Sequence, residues 1–513
     1  MQPGTNDVER KRERWLLAFG IAFIFLSISL TLGHFKVLWG DEFVTYWVGQ
    51  QGSFTGIWAA LKSGADPNPP LMHVLSWWST KAFGSVATAI RLPSVFGVGL
   101  ALAGVWSIVR RYAGPLLAAA ACLALMTSRG FDYSYDARSY GLLMGFAIAA
   151  LACWVKTLDG KRQGFWFVAL AVMLACDLSS NYYGVMAFFP VAAGELLWTR
   201  REKRLRLGVW AALLAGALPL LPYLTLIRGN IAEFGPHAWN KPAAGMIAES
   251  YFVLVEGLFW PVAIVAAVWL WKRRRQKPNS VQRSAIPAEV RAALWVLMLY
   301  PFLGFAIAYG GAGMISARCV IPVCAAFAIV GALLLSQVAG RKVVLGVAAF
   351  LLVWVLARSA ACAMLLRDQR QAFFHLRNEV DQAMAPGEKL LVGDSLMVMP
   401  LWWYASPNVR AGLRFPIDFA AIHRMESDDS GEQNLWGGRH GVFPVPIDKP
   451  NTMIEPQEEY IYLGGQEGWL AKELTDRNFV LVPDGTQVNW GGLGGVFTPL
   501  AHPTTRVWFV RPR

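Results

Sequence analysis

Charge is scarce in this chain. Only 16% of its 513 residues are Asp, Glu, Lys or Arg, while 55% are hydrophobic; soluble globular proteins carry about a quarter charged residues. With a mean hydropathy of +0.39, that shortage excludes an ordinary soluble enzyme. Cysteine is scarce too. The six cysteines (122, 153, 176, 319, 324 and 362) lie in or beside apolar runs, with none after 362 and none at metal-ligand spacing. Neither a disulfide framework nor a structural zinc site is expected. Tandem repeats are missing, and no small-residue cleavage site follows the first apolar run. The N-terminal MQPGTNDVERKRERW is therefore expected to lead into a retained helix. The net charge of +13 does not point to nucleic acid, because the basic residues stand in short clusters between apolar runs, where they orient a membrane protein.

What the chain has in quantity is apolar runs, each near the roughly twenty residues that cross a bilayer. They fall at about 15–33, 92–109, 115–128, 140–156, 164–178, 183–198, 207–227, 251–271, 292–311, 318–337 and 343–363. The expected architecture is a polytopic α-helical membrane protein of about eleven transmembrane helices. Placing Lys11–Arg14 in the cytoplasm and alternating puts Arg110-Arg111, Lys156 with Lys161-Arg162, Arg200–Arg206, Lys272–Arg275 and Arg341-Lys342 on the same side. The pattern holds only if 69–84 does not cross, so Pro69–Phe83 reads as an interfacial or re-entrant helix. The same alternation gathers 34–91, 129–139, 179–182, 228–250, 312–317 and the tail on the outer face. From about 365, polar residues and short alternating elements predict a soluble α/β domain. KLLV, EEYIYLGG, FVLV and RVWFVRP read as strands, WLAKELTDRN as a helix and 423–450 as an irregular loop. The expected division is 1–14 cytoplasmic, 15–364 membrane domain, and 365–513 soluble α/β domain.

The 34–91 segment carries the densest chemistry. Asp41 and Glu42 lie just beyond the first apolar run, where a charge is costly unless solvated or paired. They read either as solvated loop carboxylates or as a functional pair. On a helix, neighbours point about 100° apart, so only one is expected to face a given pocket. Asn68-Pro69-Pro70-Leu71 reads as a helix start, and Arg91-Leu92-Pro93 as an interface anchor. The 129–141 loop, RGFDYSYDARSYG, mixes carboxylates, arginines and tyrosines. Arg138 offers a planar fork of donors for a phosphate, and Asp136 suits a sugar hydroxyl, Arg138 or a metal. Asn181-Tyr182-Tyr183-Gly184 fits an aromatic belt, and Arg318-Cys319-Val320-Ile321-Pro322 a snorkelling arginine.

As an ordered set, the DE at 41–42, PPL at 69–71, RLPS at 91–94, ARSYGL at 137–142, NYYG at 181–184 and the arginine-then-proline span at 318–322 are specific. They resemble the GT-C superfamily of integral-membrane glycosyltransferases, in the branch of protein O-mannosyltransferases, the lipid A aminoarabinose transferase and related bacterial lipopolysaccharide sugar transferases. The likeness covers about 10–340. Asn181 departs from it where histidine is expected, and Cys319 where tyrosine is common. The resemblance implies transfer of a sugar from a polyprenyl-phosphate donor to a glycan, lipid or protein acceptor, with inversion. It makes Asp41 the candidate base, with Glu42 and Asp136 supporting it or binding sugar. Arg138, Arg318 and Arg91, with Tyr182 and Tyr183, become candidates for the lipid phosphate or substrate. A divalent metal at Asp41, Glu42 or Asp136 is a candidate cofactor that no ligand set demands. Membrane lipids are the further partners, and nucleic acid is not expected. The alternatives are a transporter or flippase, and a non-catalytic binder, of polyprenyl-linked glycolipid. The expected location is a bacterial inner membrane with a periplasmic tail; an endoplasmic reticulum membrane with a lumenal tail satisfies the same topology.

Overall fold

A computed structural model describes residues 5–237, 240–275, 286–426, 429–484 and 505–513. The N-terminal quarter forms α1 (Thr5–Phe35), α2 (Gly40–Gly49), α3 (Phe54–Lys62), α4 (Leu71–Phe83), α5 (Ala87–Ala113) and α6 (Pro115–Met126). Local chemistry sets their ends. Ser53 caps α3 by accepting from the Gly56 amide, and Pro70 immediately precedes α4. Gly114, at φ +89°, makes the reversal that ends α5, and Pro115 opens α6. The chain divides into two compact units.

The first unit comprises Met1–Gly33, Arg91–Leu224 and Pro242–Cys362. It is a helical bundle in which small residues let backbones meet. A Cβ on Gly145 would lie 2.8 Å from the Gly97 carbonyl carbon, so α5 and the Tyr140–Thr157 helix cross at contact distance, as glycine pairs allow in membrane helices. Among the described residues, five helices are long and apolar enough to cross a membrane, or up to eight if each bent pair counts as one. About eleven were expected. Two of the difference are Pro115–Met126 and Pro322–Val338, apolar but shorter, and the expected 183–198 run is a 3-10 turn followed by the Phe188–Glu202 helix. The runs at 207–227, 251–271 and 292–311 are helix pairs bent by 42°, 91° and 56°. Pro219 and Pro301 stand at two of these breaks, where a proline withholds a donor from the helical ladder.

The second unit comprises His34–Ile90, Thr225–Lys241 and Ala363–Arg513. Its sheet contains β1 (Lys389–Val392), β2 (Leu413–Pro416), β3 (Ile447–Asp448), β4 (Tyr460–Gly464), β5 (Phe479–Asp484) and β6 (Arg506–Pro512). Their order is β3-β2-β1-β4-β6-β5. The first four run parallel, with Leu390 paired to both Leu413 and Ile461, and β6 is antiparallel to β4 and β5. Every residue of β4 is buried, as parallel strands covered on both faces require. The reversal of strand order at β1 and β4 is where such sheets open a crevice. Here Tyr462 occupies it: a Cβ on Gly393 would sit 2.8 Å from its ring.

The expected strands and the Trp469–Asp476 helix are present. The loop expected over 423–450 is corrected: it contains the Ser430–Gly438 helix and β3, with 427–428 outside the described residues. Three glycines weaken that helix's intrinsic propensity, but they let it approach its neighbours. A Cβ on Gly431 would lie 3.0 Å from Ser395 Cβ, and one on Gly437 2.5 Å from the Gly64 carbonyl carbon. The Arg341–Ala383 helix is continuous through the composition change near 365.

Candidate active site

The two carboxylates of the second unit do different work. Both stand in the first turn of α2, where the helix dipole favours negative charge. Glu42 is fully buried. Its Oε2 accepts from the Trp39 amide at 3.4 Å and lies 3.8 Å from Lys36 Nζ, so this carboxylate caps the helix it belongs to. Asp41 is half-buried; its carbonyl accepts from Thr45 Oγ1 at 3.2 Å. Of the pair, Asp41 is the more exposed.

Helix α2 rests on the tail's own helix, Ser395–Tyr404. Phe43 meets Trp403 and Tyr404 at 5.5 and 6.4 Å between ring centres, Tyr46 meets Trp403 at 5.2 Å, and Trp47 meets Trp402 at 5.5 Å. The Leu38 amide donates to the Tyr404 hydroxyl at 3.4 Å. On its other side α2 is tied to α4: His73 Nδ1 is 3.3 Å from the Thr45 carbonyl, and Nε2 is 3.7 Å from Asp66 Oδ2. Asp66 Oδ1 in turn accepts from the amide and side chain of Asn68 at 2.9 and 2.6 Å. The Asn68-Pro69-Pro70 turn is thus held by a buried carboxylate and imidazole. Sequence reasoning did not single out Asp66 or His73, although a histidine three residues after PP was a readable signal.

In the first unit the 129–139 loop is pinned into the bundle. Arg358, from the Arg341–Ala383 helix, grips both oxygens of Asp132 at 2.8 and 2.7 Å, and Tyr135 donates to Asp132 at 2.6 Å. Ser134 pairs with Ser29 at 2.9 Å. The loop then turns through Asp136, whose carbonyl accepts from the Arg138 amide at 2.7 Å, and the Arg138 carbonyl accepts from Ser94 Oγ at 3.0 Å. Arg138 is 7% exposed.

Arg318 and Asn181 meet the end of this loop. The Arg318 guanidinium lies 5.4 Å from the centre of the Tyr140 ring, and its Nε donates to Ser316 Oγ at 3.3 Å. Tyr140 meets Tyr133 edge to face at 5.1 Å. Burial pushes the Tyr133 phenol up, against the opposing pull of Arg318. Asn181 reaches Ser139 Oγ at 3.4 Å and accepts from the Tyr183 amide at 3.0 Å. Tyr183 donates to the Met314 carbonyl at 2.5 Å, and Tyr182 packs edge-on to Tyr223. Asp136, Arg138, Tyr183 and Arg318 all belong to the first unit. Arg91 is 1% exposed and donates to the Gly33 carbonyl at 2.5 Å, which holds the end of α1. Among the described residues, no three His, Cys, Asp or Glu side chains converge to hold a metal ion, and no step below is routed through one.

A family model described as dolichyl-phosphate-mannose-protein mannosyltransferase matches residues 67–226. That stretch includes Asn68-Pro69-Pro70, Arg91, Asp136, Arg138 and Asn181–Tyr183. No curated protein matches the chain by sequence. Among solved structures, apo ArnT from Cupriavidus metallidurans aligns with a TM-score of 0.62 at 14% identity, covering 96% of this chain and 98% of that one. ArnT of the same organism bound to undecaprenyl phosphate aligns with a TM-score of 0.60 at 14% identity, covering 97% of each. The chain has the GT-C fold. The likeness to ArnT runs over nearly the whole length.

Proposed function

We propose that this chain is a glycosyltransferase that moves a sugar from a polyprenyl-phosphate donor to a cell-envelope acceptor. The observation that carries this reading is the ArnT-like fold over 96% of the chain, joined to a first turn of α2 in which Glu42 is a buried cap and Asp41 is half-buried. In the proposed reaction an acceptor hydroxyl oxygen attacks the anomeric carbon and inverts it. The bond from that carbon to the phosphate oxygen breaks, and polyprenyl phosphate departs with the bonding pair. Asp41 takes the hydroxyl proton as general base. Arg138 and Arg318 stabilise the charge that grows on the leaving phosphate, and Asp136 binds sugar hydroxyls. Tyr182 and Tyr183 shape the substrate's surroundings. Arg91 is assigned to holding α1 in place of the phosphate role that its motif suggested.

The donor sugar is a hexose or a pentose, and the acceptor a lipopolysaccharide or other glycan, a lipid or a protein. The location that fits the charge pattern is a bacterial inner membrane with the 365–513 domain in the periplasm. One observation favours a second reading, movement of a polyprenyl lipid: three helix pairs are sharply bent, as in transporters with broken helices. The test is transfer of labelled sugar from a panel of polyprenyl-phosphate sugars to envelope acceptors by purified protein. Wild type is expected to consume one donor, and Asp41→Asn to lose at least a hundredfold in rate, the scale of a lost general base. Lipid translocation without transfer, unaffected by Asp41→Asn, would establish the second reading instead.

A further inference from the structure

A cavity of about 420 Å³ opens in the first unit among α1, α5, α6 and the two helices that meet at Gly340, lined by Glu13, Tyr112, Gly114, Leu117, Ser336 and Arg341 among others. It lies among helix ends that carry Arg14, Arg110-Arg111 and Arg341-Lys342, all on the cytoplasmic side by the charge rule. The outer-face chemistry proposed above makes no use of it. We propose that this cavity binds a phosphate-bearing anion, the headgroup of an acidic phospholipid of the cytoplasmic leaflet.

Four independent features favour an anion. Arg110 is partly removed from solvent and is repelled by Arg14, so two like charges stand near each other here, while Arg111 is paired with Asp159. Arg341 reaches the cavity with a side chain 75% exposed, and its contact with Glu13, at 3.3 Å, is an open surface pair worth about 0–1 kcal/mol. That pair yields readily to a phosphate, which a guanidinium binds through two parallel hydrogen bonds. The Tyr112 hydroxyl is out of solvent, with Arg111 as its interaction partner and the Arg111 guanidinium 5.4 Å from the centre of its ring. The 12-residue α6 begins at the cavity wall with Gly114-Pro115, and the free amides of its first turn carry partial positive charge toward an anion.

The surroundings select a lipid over a soluble phosphate. Leu16 and Phe19 on α1 are 63% and 67% exposed, and Val343 and Leu345 about half exposed, so the neighbouring surface is one that acyl chains cover. Leu116, Leu117 and Val344 give the cavity an apolar wall along which a glycerol backbone can leave, and the volume lies in the usual range for a small-molecule site. The inference rests on the membrane reading of the fold and not on the transfer reaction, so either can fail alone.

The experiment is native mass spectrometry of the full-length protein in detergent, offered phosphatidylglycerol and phosphatidylcholine with matched chains. In a separate arm, sn-glycerol 3-phosphate competes with the lipid. Wild type is expected to retain phosphatidylglycerol at least tenfold more tightly than phosphatidylcholine. Arg341→Gln should lose about tenfold of that affinity, some 1.4 kcal/mol, and Tyr112→Phe a smaller but measurable share. Arg341 is exposed and Tyr112→Phe removes one oxygen, so both variants are expected to melt with wild type, and Tyr112→Phe carries the test if Arg341→Gln does not. Equal retention of the two lipids, or phosphatidylglycerol binding unchanged in both variants, would overturn the proposal. Displacement by glycerol phosphate at equal concentration would overturn the lipid assignment and leave a soluble phosphate as the ligand.

Discussion

Two acidic residues side by side in a helical turn face different surroundings, and in this chain that difference separates their tasks. Glu42 is buried against Trp39 and Lys36, whereas Asp41 is half-buried. The 100° step between neighbours was readable in sequence; which of the two turned inward was not, because the answer lies in Lys36 and in the cap geometry at Trp39. Arg358 gives the opposite case. It is the one charge in the 343–363 apolar run, and intramembrane charges are paired or functional, so it carried a signal that was overlooked. Its partner Asp132 stands 226 residues away, beyond the reach of local pattern. Arg358→Gln is expected to leave Asp132 buried and unpaired, at a cost of about 3 kcal/mol, seen as a lower melting temperature. The double variant Asp132→Asn/Arg358→Gln should recover part of that loss. Strict additivity of the two single effects would show that the pair is not coupled.

At the scale of elements, the tail's Trp402-Trp403-Tyr404 run positions the helix that carries Asp41. In sequence those aromatics had no assignable purpose. Each ring contact becomes meaningful only once α2 supplies Phe43, Tyr46 and Trp47 opposite them. Aromatic pairs contribute about 0.5–1.5 kcal/mol each beyond area burial, so Trp403→Ala, which touches three rings, should loosen α2 by roughly 2 kcal/mol. Transfer by this variant is expected to fall with kcat, while Trp403→Phe retains most of it. Loss of melting temperature with transfer unchanged would confine Trp403 to stability. The Ser430–Gly438 helix was hidden for a related reason. Its glycines argue against a helix when read locally, and their use is to admit Ser395 and the Gly64 turn at distances a side chain would forbid.

At the scale of the whole molecule, pH should act through the buried acid of the tail, Glu432. Burial raises the Glu432 carboxyl from 4.5 to about 8; a hydrogen bond with Ser395 opposes the rise, and the charges of Glu426 and Asp394 add to it. A carboxyl whose folded pKa lies above its unfolded value holds its proton more tightly when folded. Its contribution to stability is therefore complete below about pH 4.5 and is lost as pH rises through about 8. Thermal unfolding followed from pH 5 to 9 is expected to show a falling melting temperature across that window. Glu432→Gln should flatten that fall, because the amide does not titrate. A profile identical to wild type would mean that Glu432 is not the acid responsible.

Composition and charge placement by themselves determined that this is a helical membrane chain with a mixed tail, because bilayer length and the cost of lipid-exposed charge act on every residue independently of its neighbours. The order of short motifs likewise determined the resemblance to GT-C enzymes. Tertiary structure alone decided the rest: that three of the apolar runs are bent helix pairs and others are short, that β2 and β3 join the sheet, and that Asp132 belongs to Arg358 and α2 to the tail's aromatics. Those outcomes depend on which distant segments meet. A contact between residues hundreds of positions apart has no local period or spacing through which a sequence can announce it.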